Sequence, residues 1–229
     1  MAEPRGNDQL VQRRANLSAL VELGVSAYPS RFPTTDTISE IVSAHGGTSD
    51  GDLDDQQVET VTAGRILLVR SFGKARFLVL SDGVSRLQVY VRQDTLSEFD
   101  FKIAELLDIG DFLGVEGRLF RTRTDELTIW VAHLEFLAKC LVPLPEKWHG
   151  LTDIEARHRQ RYVDLIVNPG SRRVFEIRAR VLTATRAFLV SRGYLEVETP
   201  MMQPVAGGAL ARPFITHHNA QDMRLYLRI

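Results

Sequence analysis

Apolar residues recur along this chain at two periods, and the places where the period changes divide it. Leu10, Leu17, Leu20 and Val21 fall near one face of a helix over residues 8–23, with Gly24 placed to end it. Tyr28-Pro29-Ser30-Arg31-Phe32-Pro33 then forces an extended passage, because each proline disfavours helix in the residue before it. Thr37-Ile38-Ser39-Glu40 has the spacing of a capping box, in which hydroxyl and carboxylate satisfy each other's backbone N–H, so a second short helix begins there and Gly46-Gly47 closes it. Residues 46–57 are rich in Gly and Asp with one apolar side chain, which reads as a linker.

From Val58 the period becomes two. Residues 58–71, 74–82 and 85–92 are runs rich in Val, Leu, Ile, Phe and Tyr, and Asp82-Gly83 between the second and third signals a tight hairpin. A helical stretch (95–107) interrupts, and strands follow at 111–122 and 126–140. The last strand alternates Leu127, Ile129 and Val131 on one face against Trp130, Ala132, Leu134 and Phe136 on the other. Three strands, a helix and two strands make the order of an OB-fold barrel; an SH3-like barrel competes, and the helix position favours the former. OB barrels bind oligonucleotides or oligosaccharides around strands 2 and 3, which singles out Lys74, Arg76, Phe77, Gln88 and Tyr90. An exposed aromatic stacks on an unpaired base and an amide pairs with a base edge. A strand phenylalanine is also an ordinary core residue, so Phe77 has two readings at this point.

Pro143-Leu144-Pro145 ends the last strand, giving three segments: 1–57 (helices and linker), 58–142 (barrel) and 143–229. In the third, 153–166 is a basic helical stretch capped by Asp153, and Ser171 is placed to cap a helix over 172–191. That helix carries Val174, Ile177, Val181, Ala184 and Phe188 at 3–4 spacing with a second stripe of Phe175, Leu182 and Leu189, apolar over more than one face and suited to a partner as well as its own domain. Tyr194–Thr199 reads as a short strand stopped by Pro200. The fold class expected is α+β.

Composition narrows the function classes. The 229 residues are 44% apolar and 25% charged, a globular balance. No apolar run approaches the roughly 20 residues of a membrane span, and the first residues lack a signal-peptide core, so a soluble, reducing, cytoplasmic setting is expected. One cysteine, Cys140, excludes an internal disulfide and a Cys-based zinc site. The net charge of −1 conceals an asymmetry: four basic against nine acidic residues in 1–57, eleven against twelve in 58–142, thirteen against eight in 143–229. Only Lys74, Lys102, Lys139 and Lys147 are lysines; the other basic residues are arginine, which permits phosphate or base recognition without requiring it.

The motifs of the last segment resemble those of the class II lysyl-tRNA synthetase family. RGYLEVETPMMQP (192–204), with the helix before it, looks like motif 1 of class II synthetases; GGALARPFITHHN (207–219) and PLPEKWHGLTDIEARHRQRYVDLI (143–166) are similar to the lysine-enzyme versions of their segments. Aspartyl and asparaginyl enzymes share the layout with other residues here. Two departures are Leu210, where Ala is usual, and Asp125, where Gly is usual. The resemblance implies an OB barrel reading the lysine anticodon, then the start of an antiparallel-sheet catalytic domain. Phe77 matches the aromatic that stacks on the central uridine and Gln88 the amide that pairs with it; Arg65, Lys74 and Arg76 complete the anticodon-binding set. Gly207, Gly208 and Ala209 match the lysine pocket, and Val181, Phe188 and Pro200 the homodimer interface built by motif 1. Arg212 is expected to position a loop, and His217-His218 to order their segment rather than hold a metal. The implied reaction is ATP-dependent activation of L-lysine, with Mg²⁺, and transfer to tRNA(Lys). No catalytic or metal-ligating residue is expected within this chain, because the family's motifs 2 and 3 follow the run ending at Ile229. The expectation is therefore an N-terminal portion of the ligase; a stand-alone tRNA-binding or dimerising module is the alternative.

Overall fold

A computed structural model describes residues 6–145, 150–208 and 210–228. It divides into two compact units, Met1–Pro169 and Gly170–Ile229.

The first unit opens with α1 (Gly6–Glu22), closed by Gly24 at φ +86, a left-handed conformation that side chains with a Cβ avoid. The Val25 N–H then reaches back to the Leu20 carbonyl at 3.0 Å. In α2 (Ile38–His45) the capping box forms in full: Glu40 N donates to Thr37 Oγ1 (3.2 Å) and Thr37 N to Glu40 Oε2 (2.8 Å). The stretch read as a linker holds a further helix, α3 (Asp50–Gln56). Its composition is that of a loop, but Ser49 caps it, two aspartates complement its first turn, and its single apolar side chain, Leu53, is fully buried. Arg121 fixes its approach by donating to the carbonyls of Gly46 and Thr48, while Asp50 accepts from Arg121 N.

Five strands close into a barrel in the order β1-β2-β3-β5-β4: β1 (Glu59–Phe72), β2 (Ala75–Ser81), β3 (Arg86–Arg92), β4 (Phe112–Arg121) and β5 (Leu127–Ala138). All neighbours are antiparallel except β3 and β5. Between β3 and β4 lies α4 (Glu98–Glu105), capped by Ser97. Ile66, Leu78, Leu80, Val89, Leu113, Val115, Ile129 and Val131 fill the interior, joined by Leu20, Ile38 and Leu53 from the three N-terminal helices.

Leu134 and Phe136 are buried together with Leu127, Ile129 and Val131, not on the opposite face as their alternation implied. The cause is a β-bulge. Val131 pairs with Gly117 and His133 with Glu116, so Ala132 has no partner and the inward phase of β5 moves by one residue. Opposite the bulge a Cβ on Gly117 would lie 2.0 Å from the Trp130 carbonyl oxygen, a contact only glycine avoids. At the barrel's base the buried Lys139 ammonium donates to Asp111, Asp108 and the Leu106 carbonyl, and Arg13 of α1 donates to the carbonyls of Ile109 and Cys140. Burial pushes the Cys140 thiol pKa up.

The expected basic helix over 153–166 is two, α5 (Ile154–Arg159) and α6 (Arg161–Val167), broken at Gln160 (φ −114, ψ 55). The buried Asp164 carboxylate joins them, accepting from Arg157 and Arg161, so two of this stretch's arginines are engaged internally.

The second unit holds most of α7 (Pro169–Ser191) and a sheet ordered β6-β8-β7 from β6 (Met202–Gln203), β7 (Ile215–His218) and β8 (Met223–Leu227). α7 starts on proline, whose missing N–H costs nothing at a first position, so Ser171 lies inside its first turn and does not cap it. Residues 194–200 form no strand; they are held singly, by Arg186 on Glu196 (2.9 Å) and Arg228 on Thr199 Oγ1 (2.8 Å).

The Asp82-Gly83 turn forms as expected and also docks α2. One Asp82 carboxylate oxygen accepts from Val84 N and Ser85 N, the other from Ser39 N and Oγ. Burial alone would raise this carboxyl's pKa, but the four donors outweigh it and hold it below its ordinary value. A carboxyl depressed in the folded state stabilises above its unfolded pKa and loses that contribution as pH falls through the folded one. Asp82→Asn is expected to cost about 1 kcal/mol in urea unfolding at pH 7, with the gap to wild type narrowing below about pH 4. An equal gap at pH 7 and pH 3 contradicts this.

Candidate nucleic-acid interface

The outer face of the barrel carries a row of aromatic rings. On β2 the inward positions are Leu78 and Leu80, which puts Phe77 and Val79 outside. Directly across β3 stands Tyr90, its ring 4.7 Å from that of Phe77. Tyr90 packs edge-on against Trp130 of β5 at 5.2 Å, and Phe120 of β4 lies 5.5 Å from Trp130. At the other end Phe72 meets Phe77 edge-on at 6.2 Å and is 64% exposed. Phe77, Tyr90, Trp130 and Phe120 are half-buried, each with one side in the barrel wall and one toward solvent. Phe77 is therefore not a core residue.

Gln88 occupies the same face one step away, opposite Val79 rather than Phe77. Its carboxamide orientation follows from its neighbours. Thr128 Oγ1 donates its one hydrogen to the Glu126 carbonyl (2.9 Å) and so must accept from Gln88, at 3.1 Å from Nε2. Nε2 is thereby held inward, and Oε1 remains as an acceptor for an N–H such as that of a uracil ring. The polar amide tolerates its 8% exposure because that bond is made.

The expected cations do not gather on this face. Lys74 is exposed in the β1–β2 turn, whose backbone is pinned by Gln93 N on the Lys74 carbonyl (2.9 Å). Arg76 has the inward phase, and its guanidinium donates to Ala104 O (2.9 Å) at the end of α4. Arg65 pairs with Ser81, four residues along β2 from Phe77 or roughly 13 Å at strand rise. It donates to the Gly110 carbonyl (2.9 Å) and lies over the Phe112 ring at 4.2 Å. Conversely, the alternation did not single out Phe72, Phe120 or Trp130. The available signal was aromatic residues on the polar phase of strands, Trp130 between Ile129 and Val131 and Phe120 between Leu119 and Arg121.

Comparison with known proteins places this geometry. Residues 60–137 match the family model described as an OB-fold nucleic acid binding domain, and residues 153–229 match that of class II tRNA synthetases (D, K and N). The lysine–tRNA ligase of Carboxydothermus hydrogenoformans is 50% identical over 223 residues, 97% of this chain and 44% of that protein. That of Magnetococcus marinus is 48% identical over 230 residues, 100% of this chain and 46% of its own. The Bacillus subtilis enzyme is 44% identical, covering 97% and 45%. The chain belongs to the class II lysyl-tRNA synthetase family. It spans a little under half the length of these relatives.

Other positions singled out by the resemblance lie in the second unit. Gly207 and Gly208 are exposed, Gly208 at φ +117, and Ala209 lies outside the described residues. Val181 (57%) and Phe188 (53%) are exposed on α7, and Pro200 is exposed. His217 pairs with Asp222 (3.2 Å), and His218 Nδ1 accepts from Gln221 N to cap a single 3₁₀ turn (Asn219–Gln221). Asp125 is left-handed at φ +62, a conformation that favours glycine, and Arg121 donates to both its carbonyl and its carboxylate.

Thr128→Val leaves the Gln88 amide without its acceptor and is expected to cost about 1–3 kcal/mol in urea unfolding. Pairing it with Gln88→Leu removes both partners and should recover much of the loss. A double variant as unstable as the two losses added together contradicts the bond.

Proposed function

We propose that this chain is the tRNA-reading part of an ATP-dependent lysine–tRNA ligase, and that the outer barrel face binds the anticodon of tRNA(Lys). The observation that carries the reading is the half-exposed Phe77 ring set beside an amide whose orientation is fixed. A flat aromatic offers its face to any unpaired base, and a locked acceptor selects the edge presented to it. A folded duplex offers neither, so the target is single-stranded, as an anticodon loop is. Phe77 stacks on the central uridine and Gln88 pairs with it. Lys74 faces the phosphodiester from the turn. Arg65 and Arg76, engaged by backbone carbonyls, hold the ends of the face in place.

The family resemblance supports the further assignments. Gly207, Gly208 and Ala209 border the lysine pocket, where missing side chains admit the substrate to the backbone. Val181, Phe188 and Pro200 join two copies in a homodimer; among the described residues of the second unit only Leu225 is buried, so α7's apolar stripes lack cover from that unit. No group of three or more His, Cys, Asp or Glu side chains among the described residues fits a metal ion, and ATP and Mg²⁺ are assigned to no residue of this chain. Among the described residues no helix is long and apolar enough to cross a membrane; the cytoplasmic setting of the ligase is proposed from the family resemblance.

Phe77→Ala is expected to weaken binding to a UUU anticodon stem-loop by about 1–3 kcal/mol, read by fluorescence anisotropy; equal affinity removes the assignment. Self-association through α7 is expected in light scattering and should fall in Phe188→Glu. A wild-type chain that stays monomeric at high concentration contradicts the dimer assignment.

A further inference from the structure

Beyond Tyr90 the aromatic row ends in a crevice of about 230 Å³ whose wall is Trp130. It lies over the β5 bulge, where Gly117, Val131 and Ala132 form part of its lining. The Arg118 guanidinium lies over the Trp130 ring at 5.5 Å, farther than in the closed pairs Arg65–Phe112 (4.2 Å) and Arg192–Phe188 (4.4 Å). Asp54 of α3 holds Arg118 in place at 2.9 Å. Glu59 and Glu116, also lining the crevice, form no hydrogen bond or ion pair among the described residues, and neither does the Trp130 indole N–H. All these groups belong to the barrel unit.

We propose that this crevice is a second nucleobase site, taking an unpaired base that carries an amino group and that adjoins the triplet whose central base is read at Phe77 and Gln88. It rests on the reading of the barrel face as an RNA surface. Three features select the ligand. The Arg118 guanidinium carbon lies over the flat Trp130 ring at 5.5 Å, and a base slid between them needs about 3.4 Å on each side, an opening about 1 Å wider than the present one. Arg118 is 39% exposed and its Asp54 partner 57% exposed, so this surface ion pair can shift or open to allow that movement. The two unengaged carboxylates accept hydrogen bonds but donate none, so they suit the amino groups of guanine, adenine or cytosine. Uracil offers a single ring N–H on that edge, and the two carbonyl oxygens beside it would face like charge. The same carboxylates repel phosphate, which fixes the polarity of binding: base inward, backbone at the rim. A lysine-rich peptide would also meet acid and indole here, but the Trp130 face already has a cation over it, and the site continues a row of rings suited to bases.

The test uses the chain with Trp148→Phe, which leaves Trp130 as its one tryptophan. UUU stem-loops are titrated with U, C, A or G on either flank of the triplet, following Trp130 fluorescence and affinity. At one flank, replacing U by an amino-bearing base should quench Trp130 and tighten binding about fivefold or more. Glu116→Gln and Glu59→Gln, both surface substitutions, should diminish that preference while leaving the Phe77→Ala effect intact. Equal affinity and fluorescence for every flank, with Phe77→Ala still damaging, overturns the crevice alone. Loss of the Phe77 effect as well overturns the RNA reading itself. A flank preference that survives both glutamine variants, or quenching by oligolysine but by no stem-loop, also overturns the proposal.

Discussion

The barrel closes because β5 changes phase in its middle. One strand must pair antiparallel with β4 along nearly its whole length and parallel with β3 near its start, while keeping an apolar face inward throughout. A regular strand with this sequence would turn Leu134 and Phe136 outward once Leu127, Ile129 and Val131 face in. The unpaired Ala132 removes the conflict, and Gly117 makes it possible by leaving room for the Trp130 carbonyl. The same adjustment determines the surface. Trp130 stands outside the barrel next to Tyr90, completing the aromatic row, just before the bulge. Core and binding face thus depend on one backbone irregularity.

What this produces is an open wall with a crevice at one end. Its aromatic rings are half-buried in their own sheet, so the entropy cost of ordering them is met in folding rather than in binding. Its one buried amide is aligned by a threonine whose hydroxyl is committed elsewhere. Such a surface has the shape that the proposed reading requires, a row of flat faces for unpaired bases presented in sequence. The charged residues mostly serve the scaffold: Lys139 with Asp108 and Asp111 at the base, Arg121 around α3, Arg157 and Arg161 on Asp164.

The strands and helices of the barrel were legible because period-two alternation, the Asp82-Gly83 turn and the Thr37 box are local signals. The bulge was not, since an extra residue in one strand is defined only by its partner across the ladder. α3 was hidden by composition: six polar or glycine residues around Leu53 look like a linker until that leucine is seen buried. Residues 194–200 have the composition of a strand but no neighbouring strand in the described structure to complete a ladder. Phe77 and Gln88 were expected from their place on adjacent strands to share a face, and they do, although their register is offset by two pairs. The arginines show where such reading stops. Nothing in the order of residues tells that the Arg76 head group meets the carbonyl of Ala104, or that Arg65 lies on Phe112, because those contacts come from elements far apart in sequence. Trp130 and Phe120 were not singled out, because Trp130 was grouped with Leu134 and Phe136, and the bulge that separates them is visible only once β4 and β5 are paired.

The most direct measurement is a nuclear magnetic resonance map of the chain, labelled on backbone and side-chain amides, during titration with a UUU anticodon stem-loop. The account predicts the largest shifts at Phe77, Tyr90 and the Gln88 carboxamide, with the barrel interior unchanged. Shifts concentrated on α5 and α6, with the Gln88 side chain unmoved, would contradict it.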